Sequence, residues 1–203
     1  MIAIVDYNMG NLKSVCNSFE KLGEKAEVVS DCDALKKYDK IILPGVGAYK
    51  DAMESLDNTG MIKAVREFAN SGKPLLGICL GMQLLFDRSC EFGETKGLGL
   101  IEGEVVEFDR SKVASKLKVP HMGWNEIFVQ KDSPLFKGLP KEIYLYFVHS
   151  FHVVCDDSFV IGKTTYGYEF PSAVQKDNIF GIQPHPEKSH DNGLKILKNF
   201  VEL

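Results

Sequence analysis

The chain has 203 residues, of which 44% are hydrophobic and 26% charged, proportions that suit one globular domain with a sizeable core. A formal net charge of −4 argues against general nucleic-acid affinity, which needs a basic surface to displace counterions. The five cysteines, Cys16, Cys32, Cys79, Cys90 and Cys155, are scattered and never form a C-x-x-C pair, a pattern that fits neither a disulfide framework nor a zinc site.

The first six residues, Met1 to Asp6, lack the basic segment and long apolar run of a signal peptide. No stretch approaches the roughly 20 apolar residues that span a bilayer. A cytoplasmic protein with reduced thiols and no membrane contact is the expectation.

Ile2–Val5 reads as a buried strand. Residues 11–22 place Leu12, Val15, Cys16, Phe19 and Leu22 at helical spacing, with Gly23 as the stop. Ala26–Val29, Lys40–Leu43 and residues 74–78 read as further strands, and residues 59–70 and 80–88 carry helical patterns. Strands alternating with helices predict parallel crossover units in a doubly wound sheet. From residue 104 onward β-type runs dominate, at 104–108, 143–148, 160–165, 172–175 and Ile179–Ile182, before a closing helix at 191–203. There is no internal repeat, low-complexity tract or linker. The expectation is therefore one α/β domain over residues 1–203, with a largely parallel central sheet and added antiparallel strands.

The most informative segment is Gly77-Ile78-Cys79-Leu80-Gly81-Met82-Gln83. An apolar strand runs into G-x-C-x-G and a helical pattern follows at once, the arrangement of a nucleophile elbow with cysteine in the serine position. The glycines relieve a strained turn that side chains would crowd. A thiol at a helix amino terminus meets unpaired N–H groups and the positive end of the dipole, which favour a thiolate. The N–H of Leu80 is placed to hold a developing oxyanion. A buried structural cysteine in a Gly-rich turn is the competing reading of this segment taken alone.

A thiol nucleophile needs a proton acceptor that later serves as donor. Among His121, His149, His152, His185 and His190, His185 stands out: it follows an apolar run and lies between Pro184 and Pro186, which stiffen the backbone. Glu187, two residues on, falls on the same side of an extended segment and can orient the imidazole. A surface turn is the bland alternative for His-Pro-Glu. His149 and His152 lie three apart in a β-type run, which predicts opposite faces and no metal site.

Taken together, G-I-C-L-G-M-Q, the later H-P-E and the early P-G-V-G resemble the class I glutamine amidotransferases, with their Cys-His-Glu triad. Asp6-Tyr7-Asn8-Met9-Gly10-Asn11-Leu12, Pro44-Gly45-Val46-Gly47-Ala48, His121-Met122-Gly123-Trp124-Asn125, Tyr146-Phe147-Val148-His149-Ser150-Phe151 and Pro184-His185-Pro186-Glu187-Lys188-Ser189 are similar, more finely, to the glutaminase subunits of imidazole glycerol phosphate synthases. The blocks run from residue 6 to residue 189 in the family's order. Tyr49 and Phe151 stand where the family often has the other aromatic.

This resemblance implies a flavodoxin-like, class I amidotransferase fold and the roles of particular residues. Cys79 would attack glutamine, His185 would carry the proton and Glu187 would orient it. Gly45, Val46 and Gly47 would form an oxyanion strand opposite Leu80, while Gln83, Ser150 and Phe151 would line the glutamine pocket. Trp124, Tyr146 and Lys188 would face a partner, a cyclase subunit with a (β/α)8 barrel that receives the ammonia. No cofactor or metal is implied. A dinucleotide loop at Gly45–Gly47 is disfavoured because Lys50 stands where a third glycine belongs. A glutaminase serving a paralogous synthase, a cysteine α/β-hydrolase and a silent regulatory module are the rival readings. The hydrolase accounts for neither Gln83, P-G-V-G nor Glu187, and the intact triad argues against the silent module.

Overall fold

The computed structural model describes residues 1–113 and 117–203. It opens with β1 (Ile2–Val5), α1 (Leu12–Leu22), β2 (Ala26–Val29), β3 (Lys40–Leu43), α2 (Tyr49–Asn58), α3 (Met61–Asn70) and β4 (Leu75–Ile78). The short α4 (Leu80–Leu84) leads into β5 (Phe86–Ser89), β6 (Thr95–Lys96), β7 (Ile101–Glu107), β8 (His121–Val129), β9 (Glu142–His149) and β10 (Phe151–Val154). The chain ends in β11 (Val160–Tyr166), β12 (Tyr168–Lys176), β13 (Ile179–Ile182) and α5 (His190–Val201), with a single 3₁₀ turn, Pro186–Lys188, between the last two.

Nine strands form one sheet in the order β2-β1-β3-β4-β13-β12-β11-β8-β9. The first five are parallel neighbours and the last four add on antiparallel. Four-residue strands such as β1, β4 and β13 are buried along their whole length, as a sheet covered on both faces requires. Side chains pointing alternately to the two faces of β1 and β3 feed two cores. Ala3, Val5, Ile41 and Leu43 pack with α2 and α3, whereas Ile2, Ile4 and Ile42 pack with Val15 and Phe19 of α1 and Ile196, Leu197 and Phe200 of α5. Helices thus cover both faces, the doubly wound plan read from the sequence. A second sheet, ordered β10-β7-β5-β6, contributes Phe86, Ile101, Val105 and Val153 to the first core.

The structure departs from the sequence reading in several places. Residues 49–58, read as no element, are α2, which buries Tyr49, Ala52, Met53 and Leu56 at helical spacing; Gly60, at φ +73°, then starts a separate helix. The helix expected over 80–88 stops at Leu84, because Phe86–Ser89 pairs in parallel with β7. Leu80 to Phe86 are all buried, and in a wholly buried run apolar periodicity cannot separate helix from strand. β8 and β10 were not foreseen either.

His149 and His152 do not face opposite sides of one strand. Ser150 is the single residue between β9, in the large sheet, and β10, in the small one, and the bend turns both rings onto Phe108, at centroid distances of 5.2 and 4.9 Å. His121 joins them at 6.3 Å. All four nitrogens of His149 and His152 are engaged within the chain.

Burial lowers all three of these histidines, His121 to about 4. Such a group takes up its proton near pH 6.5 in the unfolded chain but not in the folded one. Its stabilising contribution is therefore complete above pH 6.5 and lost as the pH falls. His121 alone corresponds to about 3 kcal/mol lost on acidification to pH 4. Urea midpoints are expected to fall steadily between pH 7 and pH 5.5, above the range where carboxylates titrate; a midpoint that is flat or rises over that interval contradicts this account.

Candidate active site

Three neighbouring strands, β3, β4 and β13, deliver the site from their carboxyl ends, where ligands bind in open α/β sheets. β4 ends at Ile78, and Cys79 follows as the N-cap of α4 with φ 55° and ψ −112°, a strained conformation for a non-glycine residue. The turn is possible because glycines flank it. A Cβ on Gly81 would lie 1.8 Å from the Leu43 carbonyl oxygen, and one on Gly77 would lie 2.6 Å from the Gly81 carbonyl oxygen. α4 has only five residues, so the electrostatic support expected at the elbow comes from the N–H groups of its first turn rather than from a long dipole.

His185 follows β13, and its N–H donates to the Tyr146 carbonyl at 2.8 Å. Its Nδ1 lies 2.7 Å from Glu187 Oε1, with both side chains 3% exposed. Ser189 Oγ donates to the His185 carbonyl at 2.6 Å and accepts the Tyr146 N–H at 2.9 Å, so β9 and the 3₁₀ turn clamp the imidazole together. Burial opposes a charge on His185, but the neighbouring Cys79 sulfur and Glu187 carboxylate outweigh it and push the ring up to about 10. Nε2 has no hydrogen-bond partner among the described residues.

Cys79, His185, Val46, Gly47, Leu80, Gln83, Ser150, Phe151 and Lys188 line one cleft of about 730 Å³. Gly45 and Glu187 sit behind it, against His185 and Ile78. Gly47 has φ +100°, open to glycine at little cost. Trp124 and Tyr146 do not line the cleft. They are cross-strand partners on β8 and β9, with Trp124 half exposed and stacked on His190 at 5.2 Å. Lys188 Nζ lies 5.9 Å over the Tyr146 ring, which ties this aromatic face to the rim.

Several contacts escaped the sequence reading. Gln183, fully buried, donates from Nε2 to Cys79 Sγ at 3.7 Å and accepts from Gln83 Nε2 at 3.0 Å. Its signal was present, since an amide closing an apolar strand needs a partner. Tyr7 Oη donates to the Pro44 carbonyl at 2.8 Å and so steadies the chain just before Gly45; burial, then the charge of nearby Cys79, pushes this phenol far up. Pro120, Val148 and His149 also line the cleft, with Glu91, Phe92, Glu107 and Arg110; nothing local in the sequence marks the last four.

The family described as "Glutamine amidotransferase class-I" matches residues 3–203. The chain is 66% identical over its whole length, and 98% of the relative's, to the imidazole glycerol phosphate synthase subunit HisH of Sulfurimonas denitrificans. It is 57% identical to that of Wolinella succinogenes, over all of both chains. Among solved structures, the PurLQS structure from Thermotoga maritima shares the fold with a TM-score of 0.77 at 23% identity, over 99% of this chain and 97% of that one. The chain belongs to the class-I glutamine amidotransferase family.

Proposed function

We propose that this chain is the glutaminase subunit of an imidazole glycerol phosphate synthase. It acts in the cytosol as one domain over residues 1–203, hydrolyses glutamine and passes the ammonia to a separate cyclase subunit with a (β/α)8 barrel, which forms imidazole glycerol phosphate and an aminoimidazole carboxamide ribotide. The observation that carries the reading is one open cleft in which a strained cysteine meets an imidazole held by a carboxylate at 2.7 Å. Full-length identity to subunits of that name supports the choice of pathway over a paralogous synthase. No helix among the described residues is long and apolar enough to cross a membrane, and all five cysteines are free thiols.

The chemistry follows from the residues. Cys79 Sγ attacks the side-chain amide carbon, and the oxyanion that forms is held by the Leu80 N–H and by the Gly45-Val46-Gly47 strand, one well-placed donor being worth about 3 kcal/mol of barrier. The C–N bond then breaks. His185, raised to about 10, holds at neutral pH the proton that the departing amine needs. A water next attacks the glutamyl thioester with His185 as base, Glu187 keeps the ring oriented throughout, and glutamate leaves with the thiol restored. Gln83, Ser150 and Phe151 form the wall against which the substrate lies. Glu91 and Arg110 bring opposite charges to the rim, matching the zwitterionic end of an amino acid. Trp124, Tyr146 and Lys188 form the face toward the cyclase, and ammonia released into solvent would otherwise be lost. No cofactor takes part.

Cys79→Ala is expected to abolish glutamine-dependent synthesis by the two-subunit enzyme while leaving synthesis from added ammonium near the wild-type rate; parallel loss of both would remove Cys79 from the nucleophile's role. Glu187→Gln is expected to lower glutaminase kcat/KM by about 10²-fold, the scale of general acid–base catalysis, and to bring the His185 titration below its wild-type position. Steady-state rates within twofold of wild type would show that Glu187 does not orient the base.

A further inference from the structure

A line of hydrogen bonds connects β8 to the substrate wall, and its direction can be deduced from both ends. At the first end, the Asn125 amide cannot be flipped: its Oδ1 accepts the Glu126 N–H at 2.8 Å and its Nδ2 donates to the Thr165 carbonyl at 3.0 Å. The same Nδ2 lies 3.1 Å from His121 Nε2, which must therefore accept. At the far end, His149 Nδ1 lies 2.7 Å from the Phe151 carbonyl oxygen and must donate. Between them, His121 Nδ1 and His149 Nε2 are 2.9 Å apart, and only one assignment satisfies all three contacts. Both rings are neutral and protonated on Nδ1, so that His121 donates to His149.

We propose that His121 and His149 are positioning residues for the substrate: in these fixed tautomers they relay the orientation of Asn125 to the Phe151 carbonyl and so hold the wall of the cleft to which Gln83 is also bound. The carbonyl takes a second hydrogen bond from Gln83 Nε2 at 3.0 Å, and Gln83 in turn bonds Gln183, which reaches Cys79 Sγ. Ser150 is the one residue between the two sheets, with His149 paired to His121 in the large sheet and Phe151 paired to Glu107 in the small one. At that corner a side chain bonding the backbone two residues on takes over from the sheet ladder. Both imidazoles are almost fully buried, and neither touches the reacting atoms.

The inference rests on the reading that glutamine binds beside Cys79. Loss of the relay loosens the wall in the ground state and the transition state alike, which raises KM rather than lowering kcat. In the assembled two-subunit enzyme, His149→Leu should raise the KM for glutamine about tenfold, the scale of one lost hydrogen bond, with kcat and ammonium-dependent synthesis nearly unchanged. His149→Asn, whose amide can keep the bond to the Phe151 carbonyl, should restore most of the KM. Nitrogen NMR of the wild-type chain at pH 7 should find His121 and His149 neutral, with Nδ1 protonated and Nε2 bare.

A protonated Nε2 on either ring overturns the proposal, and this measurement decides it even if His149→Leu fails to fold. So does wild-type turnover with an unchanged KM in a folded His149→Leu enzyme, or an equal loss in Leu and Asn variants. A wild-type enzyme without glutaminase activity would instead overturn the underlying reading of the site and the inference with it.

Discussion

Backbone hydrogen bonds at the ends of three adjacent strands set the spacing of the site. Leu43 is in register with Gly77, and Ile78 with Ile182, so β3, β4 and β13 end at one level. The ladder then continues past the strands: the Cys79 N–H donates to the Ile182 carbonyl at 2.8 Å and the Gln183 N–H to the Ser172 carbonyl at 2.8 Å. Cys79, the segment leading to His185 and the P-G-V-G strand thus emerge side by side. The same closeness explains the glycines, since α4 starts so near β3 that Gly81 has no room for a methyl group beside Leu43. Holding Cys79 at positive φ costs of order 1–3 kcal/mol, and the fully buried strands around it offset that cost.

Electrostatics divides the histidines by what each ring meets. His185 meets a carboxylate and a sulfur and is raised, whereas His121, His149 and His152 meet carbonyls, hydroxyls and one another and are lowered. A proton on His149 would repel one on His185, because the two are close enough to interact. Keeping the wall histidines neutral therefore preserves the proton on the candidate base. Burial alone favours neutrality at all four positions; the sign at His185 differs because it alone has the Cys79 sulfur beside it and the Glu187 carboxylate at 2.7 Å.

Much of this was legible in the sequence because it is local. G-x-C-x-G after an apolar run contains the whole steric problem of the elbow, and His-Pro-Glu contains the contact between imidazole and carboxylate. The parallel half of the sheet follows from short apolar runs alternating with helical ones. Apart from α2, whose helical spacing is local, the features that escaped depend on long-range pairing. Phe86–Ser89 looks like the tail of a helix until β7 arrives beside it, and the corner at Ser150 exists only because β9 and β10 belong to different sheets. Gln183 stood in plain view, yet its partners, Gln83 and Cys79, are about 100 positions away in the chain.

The strand pair β8–β9 joins two regions that the sequence presents as separate blocks. Along one ladder, Trp124 faces Tyr146 and His121 faces His149, so a displacement of the aromatic face carries the buried imidazoles with it unless the register breaks. Tyr146 also bonds His185 through its carbonyl and Ser189 through its N–H. Whatever presses on the outer end of this pair is therefore felt at both sides of the cleft, through His185 on one side and the Phe151 carbonyl on the other. Packed elements shift between discrete arrangements rather than deforming smoothly, so on the proposed reading β8–β9 is a mechanical route by which a partner at Trp124 would act on Cys79.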